Sequence, residues 1–115
     1  MKIVIAGSRE FSDYNLLQTK LDSLLIKAED VEIVSGCAIG ADKLGERYAR
    51  ERGYKLTQFP ANWQLHGKKA GYLRNVEMAQ YATHAVLFWN GVSMGTAHMI
   101  NLCEKYKLNY RVVKF

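Results

Sequence analysis

Cysteine occurs only twice in these 115 residues, as Cys37 and Cys103. Their spacing fits neither a disulfide framework nor a metal-ligand pattern, so both are expected to be free thiols and no metal is expected. Long hydrophobic runs are missing as well. The longest are a few residues, against the roughly 20 that span a bilayer, and Met1-Lys2-Ile3-Val4-Ile5-Ala6-Gly7 is too short for a signal-peptide core. A membrane partner is therefore not expected, and the cytoplasm is the expected location. There is no low-complexity tract and no internal repeat, which excludes a disordered or repetitive chain. Neither the P-loop pattern nor a G-x-G-x-x-G fingerprint is present, so no cofactor of those classes is called for. What is present is globular composition, 49% hydrophobic and 23% charged, in a length that suits one domain over residues 1–115. The formal charge of +5 and the pI near 9.3 favour an anionic partner, but no Lys/Arg block concentrates that charge.

Apolar periodicity alternates along the chain. Lys2 to Ala6 has a buried-strand pattern; Leu17, Leu21, Leu24, Leu25 and Ala28 then recur at helical spacing after Ser12 or Asp13 as the cap. Val31 to Val34 reads as a second strand, and Ala41, Leu44, Tyr48 and Ala49 as a helical stripe ending at Gly53, where a left-handed C-cap is common. Lys55 to Phe59 is a third strand closed by Pro60, the only proline, and Gly67 to Tyr81 a third helix. His84 to Trp89 is a fourth strand, Thr96 to Tyr106 a fourth helix, and Tyr110 to Lys114 a fifth strand. The order βαβαβαβαβ predicts an α/β fold, a Rossmann-like three-layer sandwich around a parallel five-stranded sheet.

In such sheets the segments after strands one, two and four project from one carboxyl-terminal rim. Here they are AGSREF, SGCAIGAD and WNGVSMGT, all small-residue loops that precede a helix. Glycines allow close backbone approach, and the first amides of the following helix have no internal partner, so anions suit the position. Gly7, Gly36, Gly40, Gly91 and Gly95 shape these loops. Ser8, Ser35, Ser93 and Thr96 add hydroxyls, and Arg9 adds a fork that can grip phosphate. Any one of these loops alone would be read as a tight turn; three converging on one rim point to a phosphate cradle.

Taken together in this order, GSREF, SGCAIGAD, FPANW, AGYLRNVEM and NGVSMGTAHMI resemble the small stand-alone YspA/cpYpsA-like branch of the SLOG superfamily, found in bacteria and their phages. That superfamily joins the SMF/DprA proteins of DNA processing and the LOG phosphoribohydrolases. The resemblance covers nearly the whole chain and implies a Rossmann-like domain that binds a nucleotide or nucleotide-derived ligand. In LOG enzymes the strand-four loop reads G-G-x-G-T-x-x-E, and its glutamate acts with an arginine from an R-K-x-x-M motif. Arg74 in RNVEM takes the arginine position here, but Met99 stands at the glutamate position, and a thioether cannot act as a general acid. Cys37 replaces a glycine common in the second loop, and Asn62 an aspartate common in the third.

Arg74 and Asn75 are hard to explain as bland surface, since their helix carries Leu73 and Met78 at its apolar positions. Asp42 has two readings, as a carboxylate serving the start of its helix or as a wall of the nucleotide site that contacts a ribose hydroxyl or orients Arg9. Trp63 either caps the core or presents a face for base stacking, while His66, Lys68 and Lys69 read as a solvated basic edge, with phosphate contact as the lesser alternative. The leading functional expectation is a protein that binds a nucleotide or nucleotide-derived small molecule, as sensor or sequestering protein. Two others stand beside it: a nucleotide-processing enzyme of phosphoribohydrolase type, and DprA-like binding of single-stranded nucleic acid. Homo-oligomerisation is left open.

Overall fold

The computed structural model describes residues 1–115. Its elements are β1 (Lys2–Gly7), α1 (Tyr14–Leu25), β2 (Glu32–Ser35), α2 (Ala41–Arg52), β3 (Lys55–Gln58), α3 (Trp63–His66), a 3-10 turn (Gly67–Lys69), α4 (Ala70–Tyr81), β4 (His84–Trp89), α5 (Met94–Lys105) and β5 (Asn109–Lys114). The five strands form one sheet in the order β3-β2-β1-β4-β5, every neighbouring pair parallel. This is the three-layer α/β architecture that the alternating pattern predicts.

Strand pleating sorts the core into two layers, because successive side chains leave opposite faces. Ile3, Ile5, Val86 and Phe88 pack with Leu17, Leu21 and Leu25 of α1 and with Tyr48 and Ala49 of α2. Val4, Ala6, Ala85 and Leu87 pack on the other side with Met78 and Ala79 of α4 and with Met99, Leu102 and Cys103 of α5. Each central strand is thus apolar on both faces, as parallel strands buried between helices must be. The exception is Glu32, a buried carboxylate on β2. It accepts from Thr57 Oγ1 at 2.8 Å and from the Tyr81 hydroxyl, with Lys55 Nζ at 3.4 Å. The Tyr81 hydrogen bond above all holds its pKa below the ordinary value despite burial.

Caps set the helix limits. Asp13 Oδ1 accepts Leu16 N–H at 3.0 Å to open α1, and Gly53 closes α2 in the left-handed region (φ 71°). The helix expected over Gly67 to Tyr81 begins as the 3-10 turn and becomes α-helical only at Ala70, and the short α3, not expected, precedes it. Asn62 Oδ1 caps α3 by accepting Leu65 N–H at 3.1 Å, and Gly67 (φ 56°, ψ −134°) leaves helical geometry before α4 restarts at Ala70. Residues 63–69 have no buried side chain, so apolar periodicity carries no signal there. Capped by Ser93, α5 starts at Met94, two residues before the expected Thr96. No helix is long and apolar enough to cross a membrane.

Helix α2 lies close against β1 at Gly45, where a Cβ would stand 2.7 Å from Ile5 Cγ2 and 2.8 Å from Ile5 Cβ. Alanine gains about 1 kcal/mol in helix propensity, but overpacking a tight core typically costs about 1–3 kcal/mol. Gly45→Ala is expected to lower stability by up to about 2 kcal/mol in chemical denaturation. A stabilised variant would show that α2 can lift from β1 at little cost.

Candidate functional site

Beyond β1 the connections run leftward to β2, and beyond β4 they run rightward to β5, so the chain diverges at the carboxyl ends of β1 and β4. Such a switch point opens a crevice by construction. Here it is a cavity of about 610 Å³ whose lining includes Gly7, Arg9, Asp42, Arg74, Asn75, Ser93, Gly95 and Thr96. These eight sequence-predicted residues are brought together from the loops after β1, β2 and β4 and from α4.

Ser8, Ser35, Gly36, Gly40 and Gly91 are not in the lining, and the structure gives each another setting. Ser8 and Ser35 are fully buried. Ser8 Oγ accepts Asn90 N–H at 3.2 Å, while Ser35 Oγ donates to Glu46 Oε2 at 2.7 Å and accepts Cys37 N–H at 3.1 Å. Their hydroxyls are framework. Gly40 (φ 84°) is the N-cap of α2 and passes so close to the backbone oxygens of Ser8 and Arg9 that a Cβ would lie 2.5 Å from each. Gly91 (φ 90°) lies in the turn after β4, where Asn90 Oδ1 accepts the N–H groups of Val92 and Ser93, both at 2.9 Å.

Gly36 is where the second loop meets α4. Arg74 Nη1 donates to Gly36 O, and a Cβ on Gly36 would lie 2.7 Å from Arg74 Nη1 and 2.9 Å from Asp42 Oδ2. Only a residue without a side chain admits guanidinium and carboxylate to the same place. Asp42 does not cap α2. Its Oδ2 accepts Ala38 N–H at 3.3 Å, so it folds the second loop back onto the first turn of α2. No ion pair joins it to Arg9, and the cation that opposes the rise in its pKa is Arg74. Asp42 is 4% exposed, and burial pushes its pKa up to about 6, an effect that Glu46 adds to and that Ala38, Arg74 and Gly7 oppose.

Glu46 is also buried but lies below the ordinary carboxylate range, because hydrogen bonds from Ser35 and Gln58 and the Lys43 ammonium overcome its desolvation. Burial raises the Cys37 thiol pKa and Glu46 adds to it, so the helix-terminal position does not activate that thiol.

Tyr72, Glu10, Asn90, Val92 and Met99 also line the cavity and were not placed in the site from sequence, and Lys68, read mainly as a solvated edge, lines it too. Met99 forms part of the wall from within the core, 1% exposed. Lys68, Trp63 and Tyr72 stand at the mouth; Trp63 and Tyr72 are 52% and 46% exposed, so Trp63 does not cap the core. None of the five ion pairs of the protein includes Arg9, Lys68 or Arg74. The cavity thus collects cations without carboxylate partners at salt-bridge distance. No group of three or more His, Cys, Asp or Glu side chains is placed to hold a metal.

A raised folded-state pKa means that Asp42 contributes stability fully present below its unfolded value of 3.8 and lost as pH rises through about 6. Holding it ionised at about pH 8 costs on the order of 3 kcal/mol. Asp42→Asn is therefore expected to be more stable than wild type at about pH 8, by up to that amount, with the difference closing near pH 4. Melting temperatures across that range provide the measurement, and a pH-independent difference would mean that Asp42 is not strained in this way.

Three comparisons bear on this architecture. The profile of the YspA, cpYpsA-related SLOG family matches residues 1–66. The Gene 61 protein of Mycobacterium phage D29 is 36% identical over 111 residues, covering 90% of this chain and 89% of the relative. In fold, the chain is similar to DNA processing protein A from Helicobacter pylori, whose structure was described for its single-stranded DNA binding mode. The TM-score is 0.70 at 18% identity, over 97% of this chain and 64% of that one, so this chain spans under two thirds of its neighbour's length. The profile match over more than half of the chain, together with the phage relative, places this chain within the YspA, cpYpsA-related SLOG family.

Proposed function

We propose that the switch-point cavity binds a nucleotide or nucleotide-derived molecule through its phosphate, as part of a sensor or sequestering protein. The observation that carries this reading is the convergence of Arg9, Lys68 and Arg74, none in an ion pair, on one space of about 610 Å³. The volume lies within the roughly 300–1,000 Å³ of small-molecule sites. The amino-terminal turn of α5 adds to the attraction: Thr96 N–H is taken by Ser93 Oγ at 3.4 Å, while the amides of Met94 and Gly95 open the helix. A Cβ at Gly95 would meet nothing within 4 Å, which leaves room for a ligand against that turn. Trp63 and Tyr72 offer ring faces at the mouth for a base.

A second reading, single-stranded DNA binding, is supported by the fold likeness to DNA processing protein A. It also draws on the outer flank of the mouth, where exposed Leu65, Lys68 and Lys69 continue from Trp63 and Tyr72. Aromatic faces among basic side chains are the elements of a strand-binding groove.

Calorimetry with adenosine and guanosine 5′-monophosphates tests the first reading. Arg9→Ala and Arg74→Ala are each expected to weaken binding about ten- to a hundredfold, as loss of charge-assisted hydrogen bonds does, and Gly95→Val to weaken it by filling the ligand's space. All three variants should keep the wild-type fold by circular dichroism. Wild-type affinity in every variant would move the site elsewhere. Anisotropy with a labelled oligo-dT strand at two salt concentrations separates the readings. A mononucleotide site shows a shallow salt dependence and little competition from the strand, whereas each neutralised phosphate of a bound strand adds about 0.7 to the logarithmic slope.

A further inference from the structure

Asn75 is buried, and its polar atoms are engaged within the protein. Its Oδ1 accepts Arg74 Nε–H at 2.9 Å; its Nδ2 stands 3.5 Å from Gly95 O and 3.4 Å from His98 Nδ1. The orientation of the amide is fixed twice over, since an arginine Nε only donates and a backbone carbonyl only accepts. His98 Nδ1 consequently faces an NH2 group and must offer its lone pair, which makes His98 a neutral imidazole with its proton on Nε2. The imidazole is set edge-on to Tyr72 with ring centroids 4.7 Å apart, and burial alone lowers its pKa.

We propose that Asn75 is a positioning residue for the Arg74 guanidinium, and that neutral His98 locks the Asn75 amide in the orientation that holds it, so that protonation of His98 releases the grip. This rests on the reading of Arg74 as a phosphate ligand. A protonated His98 would set an N–H against the amide NH2. Turning the amide over relieves that conflict but aims Nδ2 at Arg74 Nε, leaving the guanidinium with Gly36 O as its one anchor. The groups facing His98 come from α4, the Tyr72 ring and the Asn75 amide, with Arg74 beyond them. Across the cavity Asp42 titrates near pH 6 and acts in the opposite sense, since its neutralisation favours an anion. His98→Asn separates the two effects: it keeps Asp42, places an amide oxygen near the Nδ1 position and does not titrate.

Two readouts test the proposal. In ligand-free protein, solvent exchange of the Arg74 Nε–H, followed by 15N NMR, is expected to be slow in wild type at neutral pH and fast in Asn75→Ala. On acidification wild type should lose this protection while His98→Asn keeps it. In calorimetry with adenosine 5′-monophosphate, Asn75→Ala is expected to weaken binding about five- to tenfold in the wild-type background but less than about twofold in the Arg74→Ala background, because the two residues act as one unit. Equal losses in both backgrounds, or an Arg74 Nε–H signal indifferent to Asn75 and to pH, would overturn the proposal. Should Asn75→Ala fail to fold, the titration of wild type against His98→Asn decides alone. Absence of nucleotide binding by wild type, with the exchange pattern intact, removes the phosphate reading and leaves the positioning role standing.

Discussion

Ser8 is the residue on which the site's frame depends. It sits at the point where β1 and β4 stop pairing, and each of its polar groups is used there. Its N–H donates to Phe88 O at 2.9 Å, and its carbonyl accepts Phe11 N–H at 3.2 Å and Ala41 N–H at 3.5 Å. With the Asn90 N–H on its hydroxyl, one residue fixes the exit of β1, the approach to α1, the start of α2 and the loop after β4. Buried backbone groups must be paired, so this junction cannot shift one strand without unpairing the others. The cavity inherits its width from that constraint.

Charge placement inside the cavity follows from the same geometry. Arg74 is held by two neutral oxygens, Gly36 O and Asn75 Oδ1, and not by a carboxylate at salt-bridge distance. Hydrogen bonds of this kind aim a guanidinium while leaving its charge uncompensated, and in a partly buried setting that charge acts through a low dielectric. Glu10, the other carboxylate of the lining besides Asp42, is engaged by the Asn90 side-chain amide. The attraction for an anion that we propose is therefore local, a matter of where three cations stand, and it does not need the overall charge of +5.

The layers of the fold were legible because both periodicities are strong. Ile3 to Ala6 alternates between two apolar faces, and Leu17, Leu21 and Leu25 repeat on one side of α1. The loops were legible through their small residues, but which of those residues face a ligand was not. Ser8 and Ser93 are the same residue type in equivalent βα turns, yet one is sealed under Asn90 and the other caps α5 at the cavity wall. Lys68 was legible only as part of a basic edge, because residues 63–69 carry no apolar periodicity to orient it, and Tyr72 on α4 gave no sign that it faces the cavity and not solvent. Asp42 was legible as important and illegible in role: a carboxylate in the first turn of a helix has the same sequence signature whether it caps that helix or reaches back to Ala38 in the loop before it.

Departures from local rules gather on the segment Ser35 to Glu46. Cys37 holds φ 67°, a conformation costly for a side chain larger than hydrogen. The other non-glycine residues with positive φ, Asp30 and Lys107, lie in the turns that enter β2 and β5 at the opposite edge of the sheet, where ordinary turn geometry accounts for them. Beside Cys37 stand two carboxylates one helical turn apart, Asp42 and Glu46, both nearly without solvent. Their environments push them in opposite directions: Glu46 is stabilised as an anion by Ser35, Gln58 and Lys43, while burial raises the pKa of Asp42 to about 6. A loop built only to connect β2 to α2 has no need of a strained backbone and an under-compensated carboxylate on the wall of a cavity. Features that cost folding energy and cluster at one rim support a functional constraint there. They put that constraint on the Asp42 side of the cavity as much as on the cationic side that faces it.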